Sequence, residues 1–234
     1  MQFMPSAAPA DVGLCPLRAQ RLLDALQSDI DRQRLPGAVV LVARRGRVAL
    51  FEHLGVQDPS SGAPMTRDAI FRIYSMTKPI VSVAVMMLME QGRLLLNDPV
   101  ARHLHAFGGQ RVAVEEGGDV RLEAAARPAT VQDLLRHTAG LTYEFLGDTS
   151  VQRQYAAVGI GSRSRTNEAF CETLAGIPLQ FHPGSVWEYS RATDVLGRLV
   201  EVVSGQTLGA YLAEHIFEPL GMPDTGFTVP AHHL

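Results

Sequence analysis

The chain has 234 residues, carries a formal net charge of -3, and is 46% apolar and 19% charged. Such a composition is typical of a globular protein with a large core. The charge gives no basic surface for nucleic acid or for a membrane, and the longest apolar stretch, residues 80–89, is too short to span a bilayer.

The first third of the chain combines one helix with a pair of strands. Residues 17–34 show a helical period of apolar positions. Two β-branched apolar runs follow at residues 38–43 and 48–51, and Arg45-Gly46 between them indicates a hairpin turn. An apolar helix is then predicted at residues 79–91. Because a two-stranded ribbon is marginal on its own, we expect the pair to have further neighbours or an open edge.

The remainder predicts helices and no confident strand after about residue 96. A capping box at residues 130–133 indicates the start of one helix, and residues 108–118 are interpreted as a loop. Further helices are predicted at residues 98–105, 167–175, 193–203 and 208–217. The sequence therefore predicts an α+β protein in three parts: residues 1–95 with the strand pair, a mainly helical part at 96–205, and residues 206–234, which lead toward a further sheet segment.

Lys78 is the only lysine among the 21 lysine and arginine residues, and it stands three positions after Ser75. Arginine keeps its proton in proteins, whereas a lysine can lose it. On a helix these two positions share a face, and the positive helix start disfavours an ammonium group. The spacing therefore predicts a serine nucleophile with a lysine base, although a serine that merely caps the helix remains an alternative.

Tyr189 follows the turn at Pro183-Gly184 and precedes a predicted helix. At such a junction its hydroxyl could face a cleft. Beside a lysine ammonium the pKa of a tyrosine falls, and the side chain can relay a proton. The alternative is an ordinary aromatic at the edge of the core.

Four segments then appear in order: residues 75–79 (SMTKP), 134–141 (LLRHTAGL), 183–190 (PGSVWEYS) and 218–222 (EPLGM). Together they resemble the class C branch of the serine β-lactamase and penicillin-binding-protein superfamily, and above all the family VIII carboxylesterases. The resemblance extends over residues 17–227. It implies a β-lactamase/transpeptidase-like fold, in which helices flank an antiparallel sheet and a helical domain is added. It also implies Ser75 as nucleophile, Lys78 as its base, Tyr189 as proton shuttle, and an oxyanion hole that uses the Ser75 N–H.

Two departures from the family pattern shape the expected function. Arg191 stands where β-lactamases usually carry an asparagine that binds the amide of the drug, which favours esters. The family's third motif and the returning strands of the sheet are also absent. We therefore expect an N-terminal portion with an incomplete sheet, whose remainder is lost or supplied by a second chain.

The expected activity is hydrolysis of a small carboxylic ester with a short to medium acyl group, through an acyl-enzyme on Ser75 and without a cofactor. Alternatives on the same site are a β-lactamase, a D-Ala-D-Ala peptidase, a linear-amide hydrolase or an acyltransferase. A non-catalytic fragment or binding module is the alternative from another class. Tyr143 and Phe145 could line an acyl pocket or belong to the packed core.

Other chemistry-bearing residues receive structural interpretations. His103, His105, His232 and His233 lack metal-binding partners in the sequence and are interpreted as surface histidines. His137 is expected to cap a helix end, and no G-x-S-x-G elbow is present.

Cysteine usage and the start of the chain bear on the compartment. Two cysteines, Cys15 and Cys171, are too few for a disulfide framework and predict free thiols. Residues 1–16 resemble neither a signal peptide nor an anchor. Together these features predict a cytoplasmic protein.

Overall fold

The structure is a computed structural model, and it describes residues 4–229. The chain divides into two compact units, Met1–Arg72 and Ile73–Leu234. The division at residues 95 and 205 expected from the sequence stays a prediction.

The first unit contains one helix and a small antiparallel sheet. Its elements are a 3₁₀ turn at Pro9–Val12, helix α1 at Pro16–Asp31, and strands β1 at Gly37–Arg44, β2 at Arg47–Asp58 and β3 at Ala63–Pro64. Arg45 and Gly46 both have positive φ, at 54° and 68°. This is the backbone of the tight hairpin turn that the sequence predicts between β1 and β2.

The sheet of the first unit has the order β1-β2-β3. Strand β2 is longer than its apolar pattern indicated, and β1 pairs with it from end to end apart from an irregularity at Val42/Ala43. The other edge of β2 is partly covered by β3, and a bridge joins Ser6 to Val48. Within residues 4–229, β1 has a strand neighbour on one side only. This agrees with the expectation of an open edge.

The second unit is mainly helical. Its elements, in chain order, are a 3₁₀ turn at Tyr74–Met76, α2 at Thr77–Glu90, 3₁₀ turns at Val100–Arg102 and His105–Phe107, β4 at Arg111–Glu116, β5 at Asp119–Ala124, α3 at Val131–Leu135, α4 at Ser150–Ala157, α5 at Asn167–Ala175, α6 at Ala192–Ser204, α7 at Leu208–Leu212, a π-helical turn at Ala213–Phe217, and α8 at Glu218–Leu220. The single helix expected at residues 98–105 is thus replaced by two short turns.

The hairpin of β4 and β5 corrects the expectation of no strand after residue 96. The two strands pair in register from Arg111↔Ala124 to Glu116↔Asp119. They are joined by Gly117-Gly118, both with positive φ. Charged and apolar residues alternate along β5, which is a strand signal that the sequence interpretation overlooked, and most side chains of this strand are exposed.

The core of the second unit lies around α6, which packs against α2, α3, α5 and α7. Helix α2 contributes four buried side chains to this core, Val81, Ala84, Val85 and Leu88. The predicted capping box at α3 is confirmed, since the Thr130 hydroxyl accepts from the Asp133 N–H and the Asp133 carboxylate accepts from the Thr130 N–H. The Arg127 guanidinium also donates two hydrogen bonds to the Asp133 carboxylate, of 2.6 and 2.9 Å.

Candidate active site

Ser75 lies in the 3₁₀ turn that precedes α2. The residue before it, Tyr74, has a φ of 42°, a strained region for a bulky side chain. Helix α2 begins at Thr77, and no side-chain cap bond is made at its N-cap, Met76. Ser75 therefore does not cap the helix, and its hydroxyl is exposed and turned to other partners.

The structure brings Ser75, Lys78 and Tyr189 into contact. Lys78 Nζ donates to Ser75 Oγ at 3.1 Å, and the Tyr189 hydroxyl donates to the same oxygen at 2.5 Å. Lys78 Nζ also lies 4.6 Å from the centre of the Tyr189 ring. The arrangement is that of a nucleophile with two proton-carrying groups in hydrogen-bond reach.

The electrostatics of this cluster differ from the expectation that the helix start makes Lys78 a readily deprotonated base. Burial lowers the pKa of Lys78, but hydrogen bonds to Tyr189 and Tyr143 and the charge of their ionised forms raise it more, so it lies above the ordinary 10.5. Burial raises the pKa of Tyr189, yet Lys78 and Ser75 together bring it below the ordinary 10.0. The pair therefore favours an ammonium at Lys78 and ionisation at Tyr189.

Tyr143 and Phe145 occupy different environments. Tyr143 is buried and contributes to the raised pKa of Lys78. Phe145 is 67% exposed and stacks on Tyr143 with ring centres 4.8 Å apart. Tyr143 is thus packed beside the cluster of Ser75, Lys78 and Tyr189, while Phe145 remains accessible from solvent.

Arg191, the residue that departs from the family pattern, is held by Glu144 and Tyr143. Its guanidinium donates to Glu144 Oε1 at 2.5 Å and lies 4.6 Å from the centre of the Tyr143 ring. Both side chains of the ion pair are largely buried. The position that the family gives to an asparagine is therefore filled here by a paired cation.

Two segments that the sequence presents separately run beside each other. Residues 137–142 accept backbone hydrogen bonds from residues 180–191: Gln180 N–H to Gly140 O, Gly184 N–H to Thr138 O, Glu188 N–H to His137 O, and Arg191 N–H to Thr142 O. Gly140 has a φ of 83°, and a Cβ there would lie 2.1 Å from the Phe181 carbonyl oxygen. Only glycine allows this close approach.

Sequence reasoning missed the polar residues that support this contact. Thr142 is fully buried and donates to Glu188 Oε1, and Gln152 donates to the Thr142 hydroxyl at 3.1 Å. Gln180 reaches the same Glu188 oxygen at 3.2 Å. No motif marks these residues, because their partners lie 8 to 46 positions away.

The remaining candidates lie outside this cluster. His103 is not the solvated residue expected, because its Nε2 bonds to the buried Asp98 carboxylate at 3.1 Å and its side chain is 13% exposed. His105 is exposed, while His232 and His233 lie outside the described residues. Cys15 is exposed, Cys171 is buried, and both are free thiols. Burial raises the pKa of Cys171 to about 12.

Metal-binding clusters and membrane-spanning helices are both missing from the described part of the chain. Over residues 4–229, no group of three or more histidine, cysteine or acidic side chains is arranged to hold a metal ion. None of the helices in that range is long and apolar enough to cross a membrane.

A family model described as Beta-lactamase matches residues 20–233. The chain belongs to the β-lactamase family. This match confirms the family resemblance of the four motifs. The structural neighbours described next confirm the β-lactamase/transpeptidase-like fold class.

Relatives in this family include enzymes named for ester chemistry. Esterase EstB of Burkholderia gladioli is 40% identical over 211 residues, which are 89% of this chain and 51% of EstB. The structure of EstCE1, described as a hydrolase with promiscuous acyltransferase activity, is 34% identical with a TM-score of 0.80, over 92% of this chain and 54% of that one. Unliganded simvastatin synthase LovD of Aspergillus terreus is 29% identical with a TM-score of 0.70, over 86% and 52%. The chain spans about half the length of the curated relatives it matches.

Proposed function

We propose that the protein hydrolyses carboxylic esters through an acyl-enzyme formed on Ser75. The observation that carries the proposal is the placement of the Ser75 hydroxyl between Lys78 Nζ at 3.1 Å and the Tyr189 hydroxyl at 2.5 Å. A serine needs such neighbours because an alcohol at its ordinary pKa is a weak nucleophile. The esterase names of the relatives agree with this reaction class.

The pKa directions support Tyr189, rather than Lys78, as the proton acceptor of the proposed reaction. Tyr189 ionises more readily than an ordinary tyrosine, whereas Lys78 holds its proton more tightly than an ordinary lysine. Once Tyr189 has lost its proton, the 2.5 Å contact can run from Ser75 to the phenolate. Lys78 then stabilises the phenolate, and later the negative charge near Ser75, as a fixed cation.

The proposed reaction has two halves. Ser75 Oγ forms a bond to the ester carbonyl carbon while its proton passes to Tyr189. The tetrahedral intermediate then expels the alcohol, which takes the proton back from Tyr189, and leaves an acyl group on Ser75. In the second half a water attacks the acyl carbon and gives its proton to Tyr189. The acid is released as that proton passes on to Ser75.

Arg191 supports esters over amides as substrates. Its guanidinium is paired with Glu144 and stacked on Tyr143, so this position presents no side-chain amide to a lactam or peptide. We propose esters with short to medium acyl groups. The comparison of a nitrophenyl ester series with nitrocefin tests this, and higher kcat/KM for nitrocefin would reverse the assignment.

Acyl transfer to an alcohol is the second candidate. It is favoured by the acyltransferase activity ascribed to EstCE1 and by the synthase name of LovD. The two outcomes share the acyl-enzyme and differ in whether water or an alcohol attacks it. Product analysis in the presence of a second alcohol separates them, because transfer yields a new ester and hydrolysis yields only the acid.

Covalent labelling tests the nucleophile itself. A fluorophosphonate should add once, and mass spectrometry of the digested protein should place the adduct on Ser75. Ser75→Ala should remain unlabelled. An intact wild-type protein that takes no label would favour a binding module, and an adduct on another serine would remove Ser75 as the nucleophile.

A further inference from the structure

Tyr189 is carried by a segment with no regular secondary structure. Residues 186–190 lie between the turn after Pro183 and the start of α6. Since neither a helix nor a strand fixes this backbone, other bonds must hold the Tyr189 hydroxyl within 2.5 Å of Ser75 Oγ. Two of those bonds come from one residue.

His137 binds the residues on both sides of Tyr189. Its carbonyl oxygen accepts from the Glu188 N–H at 2.9 Å, and its ring Nδ1 accepts from the Ser190 N–H at 3.2 Å. The His137 ring also packs on the Tyr189 ring, with centres 5.0 Å apart. It meets the Trp187 ring edge-on at 6.4 Å.

The capping role expected from the sequence does not account for these contacts. His137 follows α3 with a φ of 57°, and its N–H bonds to the Leu134 carbonyl oxygen. Glycine or asparagine would complete a helix end of this kind. The imidazole adds nothing to the cap, but it supplies the acceptor for Ser190 and the surface for Tyr189.

The bond from the Ser190 N–H fixes the protonation state of His137. A ring nitrogen that accepts a hydrogen bond carries no proton, so the imidazole is neutral with its proton on Nε2. Burial and the charge of Lys78 lower the pKa of His137. The charged and titratable groups that face it are Lys78 from α2 and Tyr189 from the irregular segment.

His137 and Ser190 could in principle form a second pair of base and nucleophile, but the Ser190 hydroxyl is not accessible to a substrate. The Ser190 hydroxyl lies 3.1 Å from His137 Nδ1, as such a pair requires. Ser190 is only 1% exposed, so no substrate carbonyl can reach its oxygen. The pair is therefore structural.

We propose that neutral His137 is a positioning residue that holds the Tyr189 hydroxyl against Ser75. The catalytic importance of this positioning rests on the proposed function, but the placement of Tyr189 itself can be measured without turnover. Its consequence is that loss of the imidazole, or its protonation, releases Tyr189 from the Ser75–Lys78 pair while the fold remains.

The experiment compares His137→Gly and His137→Asn with His182→Asn as a matched control. Both replacements at position 137 accept the left-handed backbone, and asparagine retains a shorter acceptor. His182 makes the same kind of bond, since its Nδ1 accepts from the Ala126 N–H at 3.2 Å, but its other nitrogen contacts Glu123. The control therefore removes a half-buried histidine with an equivalent bond away from Tyr189.

The first readout is the ionisation of Tyr189, followed by ultraviolet difference titration against Tyr189→Phe in each background. His137→Gly should raise the pKa of Tyr189 toward its ordinary value, His137→Asn should raise it less, and His182→Asn should leave it unchanged. This readout stands even if no ester is turned over, so failure of the proposed function is distinguishable from failure of the positioning role.

The second readout is the rate of phosphonate labelling at Ser75, together with kcat and KM. A displacement of the order of an ångström at a reacting group costs about 10²-fold, so His137→Gly should lose about that factor in labelling rate and kcat with little change in KM. In the unaltered protein the labelling rate should show an additional fall as the pH drops through the His137 pKa, and His137→Asn should lack this additional fall. If His137→Gly does not fold, the labelling rate of His137→Asn and the pH profile of labelling test the proposal instead. Unchanged Tyr189 titration and labelling in a folded variant would overturn the proposal.

Discussion

The hydroxyl oxygen of Tyr189 lies 2.5 Å from Ser75 Oγ, although 114 positions separate the two residues in the chain. The contact joins the irregular segment before α6 to the turn before α2. It places a second titratable group, besides Lys78, in hydrogen-bond contact with the Ser75 hydroxyl. Changes to this cluster, or to the contacts that support it, should therefore alter activity or stability in measurable ways.

Removal of the Tyr189 hydroxyl should reduce turnover strongly without harm to the fold. We expect Tyr189→Phe to lower kcat by about 10²–10⁴, the range for a general acid–base group, with an unchanged circular dichroism spectrum. Tyr211→Phe is the matched control, because the buried Tyr211 hydroxyl has no hydrogen-bond partner within residues 4–229. A Tyr189→Phe enzyme as active as this control would make Tyr189 a packing residue.

Replacements of Lys78 separate a proton acceptor from a fixed cation. Because the pKa of Lys78 is raised and that of Tyr189 is lowered, the main role of Lys78 in the proposed reaction is to supply positive charge. Lys78→Arg keeps the charge and Lys78→Met removes it, so we expect both to lose activity but Lys78→Met to lose more, because only arginine leaves a cation beside the phenolate. Equal losses in steady-state kcat/KM would return the proton-accepting role to Lys78.

Above the pKa of His137, the pH profile of kcat/KM should be set by the same two groups. Activity requires the ionised form of Tyr189, so it should rise with pH toward a pKa below 10.0. It also requires the ammonium of Lys78, so it should fall only as the pH passes a pKa above 10.5. In Tyr189→Phe the rising limb assigned to Tyr189 should disappear from the residual activity. A rising limb that persists there would belong to another group.

Asp133 should contribute stability that depends on its charge. Burial raises the pKa of Asp133, but hydrogen bonds from Arg127 and Thr130 outweigh burial and hold the pKa far below 3.8. A depressed folded-state pKa gives stability that is present above the unfolded value and is lost as the pH falls below about 4. Asp133→Asn should therefore lower the free energy of unfolding by about 1–3 kcal/mol near neutral pH and flatten its acid dependence in urea titrations.

Asp148→Asn provides the control for this measurement. Its carboxylate is 86% exposed and 3.4 Å from Arg153, and an exposed pair contributes about 0–1 kcal/mol. Equal losses of stability in the two variants would contradict the role given to Asp133.

Gly140→Ala should disturb both stability and activity. The residue has a φ of 83°, and an added Cβ would lie 2.1 Å from the Phe181 carbonyl oxygen. Gly159→Ala is the control, because Gly159 also has positive φ but has no atom within 4 Å of the added Cβ. The control should lose about 1–3 kcal/mol from backbone strain, and Gly140→Ala should lose more in thermal unfolding and also label more slowly at Ser75. Equal losses would show that the close approach is unimportant.

Local signals in the sequence were sufficient to place Ser75 beside Lys78, but not to find the residues around them. The spacing of Ser75 and Lys78 and the capping box at Thr130 depend on neighbours within one helical turn, and the structure reproduces both placements. The hairpin of β4 and β5 was overlooked, although Gly117-Gly118 and the alternation of charged and apolar residues along β5 are both local hairpin signals. The bond from Ser190 to His137 spans 53 positions. No periodicity encodes it, since only the tertiary fold brings these residues together.

Helices α2 and α6 pack against each other through the core of the second unit. One begins two residues after Ser75 and the other three residues after Tyr189. The positions of Ser75 and Tyr189 are thus both tied to the core of the second unit. On heating, phosphonate labelling of Ser75 should be lost together with the native core. The fraction of molecules that accept a phosphonate at each temperature should therefore follow the calorimetric unfolding curve.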